Sequence, residues 1–264
     1  MYLQLSKRIP FNLARILPKN IILYRFCRRY VNNFDGDNNH YIHQNGELDL
    51  MNNVLRKCKV IFDVGAHIGE WTNFALAINK NLEIHCFEPS KFTFKKLIAN
   101  NFPPNVTTNN FGLSSTKGEK SLYIFNNGSG LNSLYKRSGL GGYKQQDKVE
   151  TVQLDTLEHY CIEKNIKKID YLKIDAEGHE LDIIKGGKSL FKNGQVNMIQ
   201  FEYGGTNIDA RVLLKDFFEF FEGMGYYFFK IFPNHIKFIK EYNIRFENFK
   251  YQNWVVIKRN CLQN

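Results

Sequence analysis

The sequence predicts an α/β protein built on a doubly wound, mostly parallel sheet, preceded by a helical N-terminal segment. Three observations lead to this fold class. Short apolar runs that end in an acid or a glycine alternate with segments of helical spacing from residue 59 to about 113. The alternation resumes at residue 148, after a stretch rich in Gly, Asn and Ser. Apolar residues make up 43% of the 264 residues, which is enough for a substantial core.

Residues 1–50 are predicted to form a basic helical segment, and residues 51–264 the main domain. Pro10 and Pro18 break any long helix at the start of this segment. Residues 1–34 carry seven of the 36 basic residues and no acid, so they account for most of the net charge of +10. Two interpretations stay open. The segment either covers the core with solvated basic side chains, or it docks on a membrane surface or a partner.

Most predicted strands of the main domain are short apolar runs, as expected for strands buried on both faces of a sheet, and the strand at 105–113 is a weaker one. The last two strands are expected to pair with each other. In chain order the predicted strands are 59–65, 82–88, 105–113, 122–125, 148–154, 167–178 with its closing turn, 195–202, 226–232 and 254–259.

The predicted helices carry apolar residues at i, i+3 and i+4 spacing. Ser90 and Asp155 stand at the starts of two of them, where a short polar side chain caps free amides. Gly186 and Gly187 mark the end of another. In chain order the predicted helices are 70–78, 90–101, 155–165, 180–186 and 209–225.

Several protein classes are disfavoured by what the sequence lacks. No apolar run approaches the ~20 residues that span a bilayer, and the N-terminus does not resemble a secretory signal. The five cysteines are scattered without C-x-x-C spacing, which argues against a disulfide framework or a zinc site. We therefore expect a cytoplasmic protein, with peripheral contact at the inner membrane surface left open.

Acidic residues stand at the carboxyl ends of the predicted strands, where open α/β sheets bind their ligands. Acids grouped at one rim are costly unless a cation or hydrogen-bond donors meet them. A cationic or hydroxyl-rich ligand is therefore expected at this rim. The strand ends are Asp63 to Gly65, Glu88-Pro89, Asn110 to Leu113, Asp175 to Gly178 and Glu202.

The segment "FDVGAHIGEW" places Gly65 and Gly69 between a strand and a helix, where the backbone can turn sharply and approach a ligand. The spacing is not the G-x-G-x-x-G of dinucleotide binders. Glu88 ends the next strand, 19 residues after Gly69, where an acid can accept hydrogen bonds from both ribose hydroxyls. The two features together indicate a nucleoside cofactor. A plain strand–helix turn with an acid at a helix start remains the alternative.

Longer motifs narrow the interpretation. "FDVGAHIGEWT", "FEP", "NNFGLSS", "LDTL", "YLKIDAEGHELDIIKGG" and "IQFE" occur in this order over roughly residues 59–203. In these motifs the chain resembles the FkbM family of class I S-adenosylmethionine-dependent methyltransferases. The resemblance implies a seven-stranded class I methyltransferase fold, S-adenosylmethionine as cofactor, and methyl transfer to a hydroxyl of a sugar, glycan or related natural product.

The resemblance also implies a set of cofactor-binding positions, in the glycine turn, at the ribose acid, at the adenine edge and in the acidic segment. The sequence departs from the usual pattern at His67, where asparagine is commoner, at Gly112, where alanine is, and at Ala176, where valine is. The implied cofactor-binding residues are Asp63, Gly65, Ala66, His67, Gly69, Glu88, Pro89, Asn110, Gly112, Leu113 and Asp175.

Methyl transfer to an alcohol needs an acceptor for the hydroxyl proton, together with positioning and exclusion of water. Asp175 could serve, or could hold the methionine amino group instead. Glu177 could serve or could cap the following helix, and Lys173 could neutralise a buried acid. The candidate catalytic residues are Asp175, Glu177, His179 and Glu202.

Residues 125–137, "FNNGSGLNSLYKR", are rich in small polar side chains. They are predicted to form a lid that offers Asn132 and Ser133 to a hydroxyl-rich substrate, or else a surface loop. Asp175, Glu177 and Glu202 could also hold a divalent metal such as Mg²⁺, but no metal-ligand signature favours this.

The alternative function is binding or methylation of RNA or DNA through the basic N-terminal segment. It is disfavoured because "DAEG" stands where such enzymes often carry Asn/Asp-Pro-Pro-aromatic, and because an acidic site repels phosphates. A nicotinamide-dependent oxidoreductase is disfavoured by the glycine spacing. The expected partner is a small-molecule or glycan acceptor, with membrane or glycolipid contact left open for residues 1–34.

Overall fold

The fold is taken from a computed structural model that describes residues 19–126, 129–137 and 148–262. Two sheets are present in this part of the chain. The strands are β1 (Val60–Val64), β2 (Glu83–Phe87), β3 (Val106–Asn109), β4 (Gly112–Leu113), β5 (Gly118–Ile124), β6 (Lys148–Asp155), β7 (Tyr171–Ile174), β8 (Met198–Tyr203), β9 (Tyr226–Phe232), β10 (His235–Ile239) and β11 (Gln252–Lys258).

Helices connect most of these strands, and short 3-10 turns follow at 55–57, 244–246 and 259–261. The helix Glu47–Val54 runs across the domain boundary predicted at residue 50. The helices are α1 (Ile21–Asp35), α2 (Glu47–Val54), α3 (Glu70–Ile78), α4 (Lys91–Ile98), α5 (Leu157–Glu163), α6 (Glu180–Lys185), α7 (Lys188–Lys192), α8 (Thr206–Ala210) and α9 (Leu214–Phe221).

The main sheet has eight strands in the order β10-β9-β11-β8-β7-β1-β2-β3. The strands from β8 to β3 pair in parallel, whereas β11 is antiparallel to both of its neighbours. Seven strands form the predicted class I arrangement, and β10 adds an eighth at the edge by pairing antiparallel with β9. The predicted α/β class and the predicted pairing of the two late strands are therefore confirmed.

The core lies on both faces of the main sheet because successive side chains of a strand point to opposite faces. In β1, Ile61 packs in one cluster with Trp71 of α3, whereas its neighbour Phe62 packs in another with Tyr160 of α5. Phe201 of β8 stacks on Phe217 of α9 with ring centroids 4.3 Å apart. Burial on both faces explains why these strands are continuous apolar runs in the sequence.

Two strand predictions are wrong in detail. The single strand expected over 105–113 is two strands, and only β3 belongs to the main sheet. The strand expected over 148–154 does form, as β6, but it lies in a separate three-stranded sheet of order β4-β6-β5. This small sheet buries its own apolar cluster, which includes Leu122, Val152 and Leu154.

The helix predicted over 209–225 is also wrong, because the chain breaks it into α8 and α9. Arg211 takes a left-handed backbone with φ of +56°, and Val212 N donates back to Asn207 O. The next helix restarts where Asp216 accepts a hydrogen bond from the backbone of Leu213 at 2.8 Å.

Helix capping agrees only partly with the prediction. Ser90 does occupy the N-cap of α4, but it makes no side-chain capping bond there. The N-cap of α5 is Thr156, whose hydroxyl accepts from His159 N at 3.1 Å, rather than Asp155. The Asp155 carboxylate instead bonds the backbone amide of Thr156 and the ring of His159.

The N-terminal segment is helical in its described part, but α1 does not cover the core, because none of its residues is buried. The interpretation that the segment covers the core does not apply to α1, although Leu50 at the end of the predicted segment is buried in the core. Residues 1–18, including Pro10 and Pro18, lie outside the described residues. Within the described chain no helix combines the length and the apolar character that crossing a membrane requires.

The turn after β1 leaves no room for a side chain at Gly65. Its φ is +79°, and a Cβ there would lie 1.8 Å from the carbonyl oxygen of Asp175. Gly65 N and Ala66 N both donate to Phe87 O, so the turn also closes against β2. The glycine therefore allows three strand ends to meet at the carboxyl edge of the sheet.

We predict that Gly65→Ala destabilises the protein by roughly 3 kcal/mol or more, because the new Cβ forces β1 and β7 apart. Gly223→Ala is the matched control. Its φ is also positive, at +73°, but its Cβ would meet no atom within 4 Å. The control should lose only about 1 kcal/mol from backbone strain. Urea unfolding measures both changes, and equal losses would contradict the steric explanation.

Candidate active site

A cavity of about 270 Å³ lies at the carboxyl ends of the central strands. Part of its wall is apolar and comes from residues that the sequence did not single out, namely Phe87, Leu122, Leu131, Leu134, Leu154 and Ile183. The predicted residues that line it are Gly65, His67, Glu88, Pro89, Gly112, Leu113, Asn132, Asp175, Glu177, His179 and Glu202.

The other predicted site residues stand behind the cavity wall. Gly69 begins α3, and a Cβ there would press on Phe102 and Leu97. Asn110 donates its side-chain amide to Glu88 O and Pro89 O, so it fixes the end of β2. The predicted residues outside the cavity lining are Asp63, Ala66, Gly69, Asn110 and Ser133.

Glu88 fastens the glycine turn to the start of α4. One carboxylate oxygen accepts from His67 N at 3.1 Å, and the other accepts from Ser90 N at 2.8 Å. Burial raises the pKa of Glu88 to about 7, although the two amide donors act in the opposite direction. The carboxyl group is therefore held in one orientation at the cavity wall.

A buried ion pair lies beneath the cavity. Asp63 of β1 and Lys173 of β7 are register neighbours, and Lys173 Nζ lies 3.2 Å from Asp63 Oδ1. The same ammonium lies 3.6 Å from Asp175 Oδ2, and Thr72 donates to Asp63 at 2.7 Å. Burial alone would lower the pKa of Lys173, but the carboxylates of Asp63, Asp175 and Glu47 outweigh it and raise that pKa. Lys173 therefore neutralises a buried acid, which was one of the sequence hypotheses.

Acids near the cavity that do not pair with Lys173 have raised pKa values. Burial raises the pKa of Glu202 well above its usual value, and the nearby Asp175 and Glu177 raise it further. Glu180 accepts hydrogen bonds from Ala176 N and Gly178 N, which cap the turn before α6, and burial still raises its pKa to about 7. Burial therefore raises the pKa of an acid on the cavity wall and of a second acid behind it.

Glu177 occupies a strained turn and is paired with an arginine. Its backbone is left-handed, with φ of +50°, which costs free energy for a residue other than glycine. Arg137 Nη1 lies 3.1 Å from Glu177 Oε2. Burial raises the pKa of Glu177 to about 8, Asp175 adds to the rise, and Arg137 opposes it.

His179 is enclosed by hydrogen bonds on both ring nitrogens. Nδ1 bonds the Tyr135 hydroxyl at 2.8 Å, and Nε2 bonds the Ser114 hydroxyl at 2.9 Å. Burial lowers the pKa of His179 to about 4, although Asp182 opposes this. The imidazole is therefore neutral near pH 7 and is oriented by its two partners.

The insert predicted as a lid lies against the acidic turn. Three alternate residues hold it there: Ser133 donates to Glu177 O at 2.8 Å, Tyr135 bonds His179, and Arg137 pairs with Glu177. Asn132 lines the cavity and accepts from Phe125 N at 2.9 Å. Ser114, Tyr135 and Arg137 were missed at the sequence level, although the alternation in "SLYKR" placed 133, 135 and 137 on one side of an extended segment.

The acids proposed as a magnesium alternative do not form a compact ligand set. In the described residues, one group has three ligand atoms within 4.8 Å of one another, formed by Asp155, His159 and Glu163. None of these three residues lines the cavity. Asp175, Glu177 and Glu202 do not meet the same distance condition.

Known proteins share this sequence pattern. A curated relative is the hexuronic acid methyltransferase AglP of Haloferax volcanii, which is 27% identical over 176 residues. The match covers 65% of this chain and 69% of the relative.

The matches to solved structures are more distant. One is a methyltransferase FkbM from Methylobacillus flagellatus, 13% identical with a TM-score of 0.47, where the match covers 75% of this chain but only 43% of that chain. Another is a TehB-like SAM-dependent methyltransferase from Corynebacterium glutamicum, 11% identical with a TM-score of 0.42, covering 89% of this chain and 97% of that one.

The family assignment rests on a match to a whole domain. The model of the methyltransferase FkbM domain matches residues 63–243, which include both the glycine turn and the acidic segment. The match spans well over half of the 264 residues and confirms the resemblance read from the motifs. The chain therefore belongs to the FkbM methyltransferase family.

Proposed function

We propose that this chain transfers a methyl group from S-adenosylmethionine to an oxygen of a sugar or glycan. One observation carries the proposal: four carboxyl groups, those of Glu88, Asp175, Glu177 and Glu202, line a single cavity beside a glycine turn. A ligand with positive charge and ribose hydroxyls would satisfy such a wall.

The residues present fit this cofactor. S-adenosylmethionine, when bound, supplies a methyl group on a positively charged sulfur, and that charge disappears as the methyl leaves. Glu88 is held by two backbone amides, and each of its oxygens keeps a further lone pair for a ribose hydroxyl. We propose that Asp175 and Glu202 bind the positively charged part of the ligand. Both residues line the cavity, and they lie close enough for Asp175 to raise the pKa of Glu202.

We assign the acceptance of the substrate proton to Glu177. A general base works best when its pKa lies near the working pH, and burial raises the pKa of Glu177 to about 8. Arg137 fixes one oxygen of this carboxylate, which orients the group. His179 is a positioning residue in this proposal, because both of its ring nitrogens are already hydrogen-bonded.

The lid segment supports the same proposal by excluding water. Leu131 and Leu134 contribute apolar surface to the cavity, and Asn132 contributes an amide that can bond a substrate hydroxyl. Ser133 is buried and holds the lid to the acidic turn, so its effect on the substrate would be indirect.

The curated relative suggests the acceptor to test first. It is named as a hexuronic acid methyltransferase, and a hexuronic acid offers both hydroxyl and carboxylate oxygens. We expect the acceptor to be a hydroxyl, since a carboxylate needs no base and would leave Glu177 without a task.

The experiment uses methyl-labelled S-adenosylmethionine and oligosaccharides that either contain or lack a hexuronic acid. Label in the hexuronic acid oligosaccharide that survives mild alkali is expected, because an ether resists hydrolysis and an ester does not. Alkali-labile label would overturn the hydroxyl assignment. No label in either set, together with no calorimetric binding of the cofactor, would overturn the proposed function.

A second prediction concerns cofactor binding and pH. A bound cation favours ionised carboxyl groups, so the affinity for S-adenosylmethionine should rise from pH 6 to pH 9 as the raised pKa values of Glu88 and Glu177 are passed. The gain is up to about tenfold per pH unit for each proton released. S-adenosylhomocysteine lacks the sulfonium charge and is the matched control. Calorimetry should show a steeper pH dependence for the charged ligand, and equal slopes would contradict the assignment.

A third prediction separates chemistry from binding. Glu177→Gln should lower kcat by about 10²–10⁴-fold, because the amide cannot accept the proton, while cofactor affinity near pH 6, where the Glu177 carboxyl is protonated, changes little. Glu219→Gln is the matched control, because Glu219 is also paired with a basic residue but at an exposed site. Asp175→Asn should instead weaken cofactor binding. Full turnover in Glu177→Gln would remove this residue from catalysis.

A further inference from the structure

The helix α1 exposes an apolar surface that the main domain does not use. None of its residues is buried, and Phe26, Tyr30 and Phe34 are 68%, 63% and 74% exposed. Ile22 is 75% exposed on the same helix. Single exposed apolar residues are ordinary, but a continuous row of large ones marks an interaction surface.

The exposed residues follow the period of the helix. At about 100° per residue, Leu23, Phe26, Tyr30 and Phe34 fall on one side, which we call the apolar face of α1. Arg25 lies opposite this face. Arg28 lies on that opposite side as well, and Arg29 falls on a flank, where a long side chain can reach past the border of the face.

The hydrogen bonds and ion pairs described between this helix or the turn after it and the main domain lie near the C-terminal end of the helix. Lys250 Nζ donates to Asn32, a residue of the polar side of the helix, at 3.0 Å. Just after the helix, Asp37 is buried and pairs with Lys230 of β9 and with Lys250. Asn38 N donates to Tyr251 O at 2.8 Å, next to β11. The apolar face therefore belongs to an arm with a rigid base.

Charge indicates what covers this face. Residues 1–34 contain seven basic residues and no acid, so the whole arm is positive. An amphipathic helix with aromatic and aliphatic residues on one side and arginines on the other side and flanks matches the surface of an anionic bilayer. We propose that α1 lies in the plane of an anionic membrane surface, with its apolar face among the acyl chains and its arginines at the lipid phosphates.

Two other binding partners would match only part of the surface of α1. RNA would pair with the arginines but would leave the phenylalanines in water. A second copy of the helix would cover the apolar face but would bring two basic arms together, which costs Coulomb energy. A bilayer with anionic headgroups covers the apolar face and neutralises the arginines at once. The proposal does not depend on the reaction catalysed in the cavity.

The test is co-sedimentation of the full chain with large vesicles. One set is phosphatidylcholine containing about one third phosphatidylglycerol, and the other is phosphatidylcholine alone. We expect strong binding to the anionic set, weak binding to the neutral set, and loss of binding as salt is added. No binding to the anionic vesicles at low salt would overturn the proposal.

Two variants test the two faces of α1 separately. Arg25→Gln, Arg28→Gln and Arg29→Gln combined should lower partitioning into anionic vesicles by roughly 100-fold, at about fivefold for each charge. Leu23→Gln, Phe26→Gln and Phe34→Gln combined should lower it by more than about 100-fold. Neither variant should change the thermal midpoint of the main domain, because no residue of α1 is buried.

The matched control removes equally exposed apolar residues from elsewhere on the surface. Ile162 and Ile244 are 78% and 77% exposed, and Ile162→Gln with Ile244→Gln should bind vesicles as the natural chain does. Unchanged binding by the apolar-face variant would overturn the proposal. A dimer in solution that this variant dissociates, or RNA binding that survives it while vesicle binding is absent, would also overturn the proposal in favour of those partners.

Discussion

The buried pair of Asp63 and Lys173 is the interaction on which the rest of the site depends. It joins the centres of β1 and β7, and Asp63 has no exposed surface at all. An isolated carboxylate at such a position would be protonated or would destabilise the fold. The ammonium of Lys173 therefore stabilises both carboxylates. Asp63 accepts a hydrogen bond from Thr72, close to the glycine turn, and Asp175 lies at the cavity. This explains why a lysine interrupts an otherwise apolar central strand.

The single positive charge of Lys173 does not neutralise the remaining acids at the cavity edge. Glu88, Glu177, Glu180 and Glu202 lie close to the same strand ends, and burial raises the pKa of each. These acids lower the stability of the folded protein, since an acid with a raised pKa loses free energy of folding as pH increases from its ordinary pKa to the raised one. Such clusters are typical of functional sites, where free energy stored in the empty protein is released when a ligand of opposite charge arrives.

The sequence was most informative where one physical constraint acted alone. β1, β2, β7 and β8 are buried on both faces, so their apolar runs and closing acids identified them and the cavity edge together. It was least informative where contacts between distant parts of the chain decide among conformations that the local sequence favours equally. The strand β6 was predicted along with the main-sheet strands, yet it pairs with β5 in the separate small sheet. No glycine or proline marks the helix break at Arg211, so the sequence did not predict it. The hydrogen bond between Tyr135 and His179 joins residues 44 positions apart, which no local pattern indicates.

The N-terminal arm illustrates a choice that periodicity alone could not make. An amphipathic helix has the same pattern whether its apolar face covers a core or faces outward, and the sequence left both open. The decision comes from residues beyond the helix: Asp37, buried between Lys230 and Lys250, holds the polar side of the arm toward the domain. Lys230 lies near the end of β9, and β11 begins opposite the end of β8, so the arm departs from the same edge of the sheet as the cavity. The chain thus places its buried acids and the base of its basic arm at one edge of the sheet, with a cavity that suits a cation beside a helix that suits an anionic surface.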